Sequence, residues 1–290
     1  MRMPPPDFPA DHPRRLLAEL GFSPSRRRGQ SFLHDGNIAR KIVALSRKMG
    51  PPYLEIGAGL GALTGLLAAE EGATVAVEID RGLARYLRDR FGGSGVEVVE
   101  GDFLSIPDAG WRNRFPGGGT AVGNLPYAFS SPILLRLMEL REVFSRAVLM
   151  LQKEVVERLC APPGGKEYGT LSVYLSVLAD ARREFVVRRT CFTPSPEVDS
   201  SVVSIRFRSG IPDSLVRNLQ TAVRAAFARR RKRLRNAPVP FLPGGMLQWC
   251  DLLAGAGIDP SARAETVPPD KYLVLARTIP REGKAGWRTD

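Results

Sequence analysis

The chain has 290 residues, 43% hydrophobic and 25% charged. That suits one sizeable α/β domain with a smaller companion and has the composition of a soluble globular protein. Its net charge of +12 is uneven: 16 Lys/Arg stand against 7 Asp/Glu from Val203 to Asp290, so +9 lies in the last third and predicts a polyanionic partner engaged there. Cys160, Cys191 and Cys250 form no CxxC pair, and His12 and His34 both lie near the start. This excludes a zinc framework, a disulfide scaffold and a His-based triad, so no metal is expected. No apolar run reaches the roughly 20 residues of a membrane span, and the proline-rich start lacks the apolar stretch of a signal peptide. A cytoplasmic, membrane-free protein is expected.

In chain order, residues 1–13 carry Pro4, Pro5, Pro6, Pro9 and Pro13 and are expected to be disordered. A short helix over Arg14–Leu20 leads to the basic triplet Arg26, Arg27 and Arg28, and Asp35 starts an amphipathic helix through Ile38, Ile42 and Leu45. Strands are predicted at 53–56, 74–77, 96–99, 120–122 and 147–151, with helices at 60–70, 81–90 and 133–140 between them. Short apolar strands alternating with helices indicate a parallel sheet covered on both faces. Helices over 152–160 and 170–180 precede two β-branched runs, 184–189 and 200–207, that read as a closing hairpin. Ser209-Gly210-Ile211-Pro212 is the expected domain boundary. Beyond it, Leu215, Leu219, Val223 and Phe227 mark a helix that is expected to run into Arg229–Arg235, followed by short helices at 247–253 and 271–277. Residues 281–290 are expected to form a flexible tail.

The chemistry concentrates at strand ends. Gly57, Gly59 and Gly61 follow the first strand in a GxGxG spacing, which differs from the GxGxxG dinucleotide fingerprint. Glu55 precedes them. Glu78 lies 21 positions after Gly57 at the end of the second strand, where a carboxylate can accept from both ribose hydroxyls; Asp102, after the third, is placed to meet an adenine amino group. Two acids at successive strand ends favour S-adenosylmethionine as cofactor, with NAD or a bare structural turn as the alternatives. Gly123-Asn124-Leu125-Pro126-Tyr127 closes the fourth strand. An aromatic amine is a poor nucleophile because its lone pair is delocalised into the ring. Acceptors aligned on its two N–H bonds, here the Asn124 side-chain oxygen and the Leu125 carbonyl, would aim that lone pair, and Tyr127 would stack on the base. An ordinary strand-to-helix turn is the bland alternative. Phe192, beside a Thr-Pro turn, also fits a core position. Six cations in the seven positions Arg229–Arg235 read either as a solvated helix end or, since like charges repel, as a phosphate-binding run.

With these residues in view, the chain resembles the KsgA (RsmA) family of ribosomal RNA adenine N6,N6-dimethyltransferases. The matching stretches are GQSFLHD (29–35), LEIGAGLGALT (54–64), EID (78–80), EGDFL (100–104), GNLPY (123–127), LQKEVVERL (151–159), EYGTLSVYL (167–175), FTPSPEVDSSVV (192–203), RAAFARRRKRLRN (224–236) and GIDPSARAET (257–266). They cover nearly the whole chain beyond residue 14 in the family's order. The resemblance implies an α/β fold: a Rossmann-like class I S-adenosylmethionine-dependent methyltransferase sheet over 14–209 with a small all-helical rRNA-binding domain over 210–280. It implies cofactor contacts from Ser31, Leu33, Glu55, Gly57, Gly59, Glu78, Asp102 and Asn124. Asn124, Leu125, Pro126 and Tyr127 would hold the target adenine, with Phe192 on its other face. Ser31 stands where the family usually has Asn, which weakens or reroutes one cofactor contact. Arg26, Arg27, Arg28, Arg229, Arg230, Arg231, Lys232, Arg233 and Arg235 would contact the rRNA backbone. The implied reaction dimethylates two adjacent adenines in the 3′-terminal hairpin loop of 16S rRNA within the 30S subunit, late in its assembly, by a monomer. Rivals are a 23S rRNA methyltransferase of the macrolide-resistance type and an assembly factor without activity.

Overall fold

The computed structural model describes residues 9, 12–25 and 29–279. The expected disorder of residues 1–13 and the tail at 281–290 lie outside these, apart from Pro9, His12 and Pro13; Pro13 already opens the first helix. The elements run α1 (Pro13–Glu19), β1 (Phe32–Leu33), α2 (Gly36–Met49), β2 (Tyr53–Ile56), α3 (Thr64–Ala68), β3 (Thr74–Glu78), α4 (Arg81–Phe91), β4 (Val96–Glu100), α5 (Asp108–Arg114), β5 (Thr120–Asn124), α6 (Ser130–Glu139), β6 (Arg146–Gln152) and α7 (Lys153–Leu159). There follow α8 (Thr170–Leu178), β7 (Ala179–Val187), β8 (Phe192–Thr193), β9 (Ser200–Phe207), α9 (Asp213–Phe227), α10 (Gly245–Gly255) and α11 (Pro269–Thr278).

The chain forms two compact units. The first comprises residues up to Val156 together with Ala181–Ser209; the second comprises Glu157–Asp180 and the residues from Gly210 onward. A single cut near 209 therefore differs from this grouping in one segment. Residues 157–180 join the helical unit because α8 is apolar around its whole circumference and needs cover on every side. Tyr168, Tyr174 and Tyr272, buried there, donate to the carbonyls of Val267, Gln220 and Ala264 at 3.0, 3.1 and 2.9 Å.

The first unit holds a seven-stranded sheet in the order β4-β3-β2-β5-β6-β9-β7. Strands β4 to β6 pair in parallel, and β9 runs antiparallel to β6. This is the Rossmann-like class I methyltransferase arrangement. Every residue of β2 and β3 is buried, as central strands covered on both faces require, whereas the edge strand β4 leaves its residues partly exposed. Helices α2 and α4 begin on acids whose carboxylates accept from the first free backbone N–H groups: Asp35 from Asn37 and Ile38, Asp80 from Gly82 and Leu83. A core cluster gathers Leu33, Ile42, Tyr53, Leu67, Val122, Met150 and Val202. Trp111 of α5 packs separately against Phe103, Phe115 and Phe144.

Several elements depart from the sequence reading, among them the unpredicted β1–β8 ladder and three helices. Helix α5 was not expected, because Trp111 is its one buried anchor. The helix expected over 60–70 forms only as α3, since its first residues belong to the glycine turn. Helix α9 stops at Phe227 instead of continuing through the basic run. There the chain turns to bury Leu234, whose N–H donates to the Ala262 carbonyl and whose carbonyl accepts from Trp249 Nε1.

Gly123 shows how tightly the end of β5 abuts β2. A Cβ at that position would lie 2.7 Å from the Ile56 carbonyl oxygen and 3.1 Å from the Leu125 side chain. Gly123→Ala is expected to cost about 1–3 kcal/mol, typical of overpacking against a backbone that cannot yield. A urea-denaturation midpoint equal to that of the unaltered chain would refute this.

Candidate active site

A cleft opens at the carboxyl ends of β2, β3 and β5, the edge at which parallel α/β sheets bind ligands. Its floor is the turn after β2. Gly57 and Gly59 hold φ of +74° and +57°, which side chains resist, and a Cβ on Gly59 would meet the Phe32 ring at 3.2 Å. The turn is tied to β3 by Glu78, 4% exposed: its Oε2 accepts from the Gly59 N–H and its Oε1 from the Asp80 N–H, both at 2.9 Å. Each oxygen keeps one lone pair for a ligand. Burial is the main cause of a raised Glu78 pKa, with the Asp80 charge adding to it and backbone N–H bonds from Asp80, Gly59 and Ile79 opposing it.

Glu55, 2% exposed, accepts a short hydrogen bond from the Thr64 hydroxyl. Burial is the main cause of its raised pKa, with the Glu78 charge adding to it and the Thr64 bond opposing it; the result is about 8. At neutral pH this carboxyl is protonated, so it brings no negative charge to the cleft. Asp102 accepts from the Leu104 N–H at 2.9 Å and from the Ser105 hydroxyl at 3.4 Å, which orients it at the end of β4.

At the end of β5, Asn124 Nδ2 donates to the Ser31 carbonyl at 2.9 Å. A carbonyl can only accept, so the amide plane is fixed with Oδ1 as its remaining acceptor. Among the described residues nothing donates to Oδ1 or to the Leu125 carbonyl, while the Leu125 N–H is engaged by the Met150 carbonyl at 3.0 Å. Pro126 supplies no N–H. The Tyr127 hydroxyl shares a 2.7 Å hydrogen bond with the Ser200 hydroxyl, which holds the ring, and burial raises its pKa.

All eight residues read as cofactor contacts line this one cleft, together with Leu125, Pro126 and Tyr127. The Ser31 hydroxyl is engaged away from Asn124, donating to the Pro194 carbonyl at 2.6 Å. Phe192 is not among the lining. It is 3% exposed, pairs with Leu33 across the two-stranded β1–β8 ladder and sits in the core cluster with Ile42 and Val202. Further lining residues not singled out as site residues include Ile79, Phe103, Leu104 and Phe129. Three of them closely follow the acids, and that adjacency is the signal that would have found them.

In the helical unit a second cavity is lined by Arg229, Arg230, Arg231, Lys232 and Arg235. Arg230 differs from its neighbours. Its guanidinium donates to the Lys166 carbonyl and stands 4.0 Å from the Glu265 carboxylate. Arg233 pairs with Arg263 by a backbone bridge. Arg26, Arg27 and Arg28 lie outside the described residues. Among the described residues no group of three His, Cys, Asp or Glu is placed to hold a metal, and no helix is long and apolar enough to cross a membrane.

Residues 21–280 match the family model described as ribosomal RNA adenine dimethylase. The chain belongs to this family. It is accordingly a methyltransferase whose methyl donor is S-adenosylmethionine. Similar curated proteins, each named ribosomal RNA small subunit methyltransferase A, include that of Geobacter sulfurreducens, 42% identical over 87% of this chain and 93% of the relative. That of Magnetococcus marinus is 39% identical over 91% of this chain and 94% of the relative. Among solved structures, a dimethyladenosine transferase from Plasmodium falciparum superposes with a TM-score of 0.70 at 27% identity, covering 84% of this chain and 95% of that one. The 23S rRNA methyltransferase ErmE gives 0.63 at 25% identity over 85% and 98%. NAD as cofactor, one alternative the glycine turn left open, is set aside by family membership.

The raised pKa of Glu55 has a stability consequence of definite sign. Between an unfolded value near 4.5 and a folded value of about 8, the native state binds a proton that the unfolded chain has released. The contribution of this group therefore falls as pH rises through that window, by at most about 1.4 kcal/mol per pH unit. Glu55→Gln cannot ionise, and its stability relative to the unaltered chain is expected to climb steadily from pH 5 to pH 8. Parallel stability curves for the two proteins across that range would refute the assignment.

Proposed function

We propose that this protein dimethylates N6 of two adjacent adenines in the 3′-terminal hairpin loop of 16S rRNA, acting as a monomer on the 30S subunit late in its assembly. The observation that carries this reading is the pair of acceptors at the end of β5, Asn124 Oδ1 with its amide plane fixed by Ser31, and the unengaged Leu125 carbonyl. Two acceptors on the two N–H bonds of an aromatic amine turn its lone pair out of conjugation and direct it along one line. When bound, S-adenosylmethionine supplies the electrophilic methyl at its sulfonium.

The cleft fits that cofactor. Glu78 would take the ribose hydroxyls on the lone pairs left by Gly59 and Asp80, and Asp102 would take the adenine amino group. The positive-φ glycines leave room for close backbone approach, and an acidic lining suits a cationic ligand. Tyr127, held by Ser200, would stack on the target base. The amine becomes strongly acidic once it carries the extra methyl, so its proton passes to water without a dedicated base. Catalysis rests on proximity and orientation. Phe192, buried in the core cluster and paired with Leu33, would support the cleft wall from behind.

The small-subunit assignment is supported by the curated relatives near 40% identity that carry that name over about nine-tenths of this chain. Likeness to ErmE supports the shared reaction and not the shared substrate. Exchange of target would appear as methylation of purified 50S and not 30S particles.

Asn124→Ala is expected to lower methyl transfer to undermethylated 30S subunits by about two to three orders of magnitude, the usual cost of one preorganised polar group, while subunit binding persists. Normal turnover would sink the mechanism. Mapping of N6,N6-dimethyladenine in rRNA from cells with and without the protein tests the assignment as a whole. Neutralising Arg229, Arg231 and Lys232 together should weaken RNA binding and reduce the slope of log affinity against log salt by about 0.7–0.9 for each phosphate that is no longer neutralised; an unaltered slope would remove these cations from the interface.

A further inference from the structure

The second cavity has walls of two kinds. On one side stand the cations of the turn after α9, and the Lys232 N–H to Arg229 carbonyl bond at 2.7 Å holds that turn closed. Among the described residues Arg229, Arg231 and Lys232 make no ion pair, in contrast to Arg230, which is committed to the Lys166 carbonyl and Glu265. The lining also holds the apolar residues Pro238, Val239, Pro240, Leu242 and Met246, of which Val239 and Leu242 are buried and Pro238, Pro240 and Met246 exposed. Prolines present no N–H, so this wall offers ring and aliphatic faces and little to hydrogen-bond. Met246 is 56% exposed and its neighbour Leu247 is 80% exposed, at the start of α10. Large apolar side chains left this open beside unpaired cations are poorly explained by solubility or by packing.

A surface that only follows a duplex backbone needs cations and no apolar wall. A concave site with both matches a ligand that carries an anion and a flat apolar face on one small unit, which describes a nucleotide taken out of its stack. Resting on the rRNA reading above, we propose that this cavity is a second nucleotide site, distinct from the cleft of the sheet unit. It takes one unpaired nucleotide of the substrate RNA, with the phosphate on Arg229, Arg231 and Lys232 and the base against Pro238, Pro240 and Met246.

The test uses the full chain and a short single-stranded oligouridylate, which offers no adenine to the methyltransferase cleft, against an abasic strand of the same length and phosphate count. The oligouridylate should bind about tenfold tighter, the low end of base-stacking contributions. Met246→Ser alters an exposed side chain and no charge, so it should erase that preference while leaving the salt slope intact. A photo-crosslink from 5-iodouridine should map to residues 238–246. Equal affinity for the abasic strand, a preference undisturbed by Met246→Ser, or a crosslink confined to the β5 cleft would overturn the proposal. So would tighter binding of an acidic amphipathic peptide than of RNA at this cavity. Loss of 30S methylation with the base preference intact would refute the enzymatic reading and leave this site standing; methylation without a base preference would refute this site alone.

Discussion

The hydrogen bond from Asn124 Nδ2 to the Ser31 carbonyl is the constraint on which the proposed reactive geometry depends. It joins residues 93 positions apart, and Ser31 is itself anchored by its hydroxyl to Pro194, 163 positions further along. The β1–β8 ladder then fixes both segments, with Leu33 opposite Phe192. As a contribution to stability such a bond is modest, about 0.5–1.5 kcal/mol. Its importance is directional. An amide free to flip would present a donor where the amine needs an acceptor, and a misplacement near 1 Å costs about a hundredfold in rate. Ser31 in place of the family's usual Asn fits this arrangement, since the backbone carbonyl does the holding and the shorter side chain is occupied elsewhere.

The acids of the cleft obey a related economy of charge. Glu55 and Glu78 lie on neighbouring buried strands, and two carboxylates that close cannot both ionise cheaply. The environment separates them. Glu78 receives two backbone N–H bonds that favour its ionised form, while Glu55 has a single hydroxyl and deep burial and stays protonated to about pH 8. Burial raises both carboxyls, and the backbone N–H bonds at the end of β3 oppose that rise for Glu78, while the acid beneath the glycine turn stays neutral at pH 7. The sequence pattern of an acid before the glycines suggested a cofactor contact; chemically that acid is better described as part of the floor on which the turn rests.

The parallel strands were legible because buried central strands read as short apolar runs. The acids and Asn124 were legible because they sit where those runs end. What escaped had physical reasons. The β1–β8 ladder is two residues long and joins distant segments, so it leaves no periodicity. Helix α5 has one apolar anchor, below what an amphipathic pattern needs. Phe192 beside a Thr-Pro turn fits a core position in sequence, with base stacking implied only by the family resemblance, and Leu33, Ile42 and Val202 share its core cluster. The basic run read as helix because its residues are good helix formers. The outcome was decided by one apolar residue within it, Leu234, whose burial against Trp249 outweighs propensity. Arg230 illustrates the same limit: six cations look equivalent in sequence, and only tertiary contacts single out the one bound to the Lys166 carbonyl and Glu265.

The uneven spread of charge along the chain bears on a conflict inherent in the proposed reaction. A cationic cofactor calls for an acidic cleft, and an acidic cleft repels the phosphates of the substrate that must reach it. Attraction therefore has to come from cations placed elsewhere in the chain, and +9 of the +12 net charge lies beyond residue 202. Only the neutral part of a nucleotide enters an acidic pocket without penalty. The cleft thus admits a base and discourages a backbone, so the target adenine must already be unstacked and turned away from its strand. Loop adenines meet that condition and paired ones do not. On this argument the acidity that holds the cofactor also contributes to the choice of substrate.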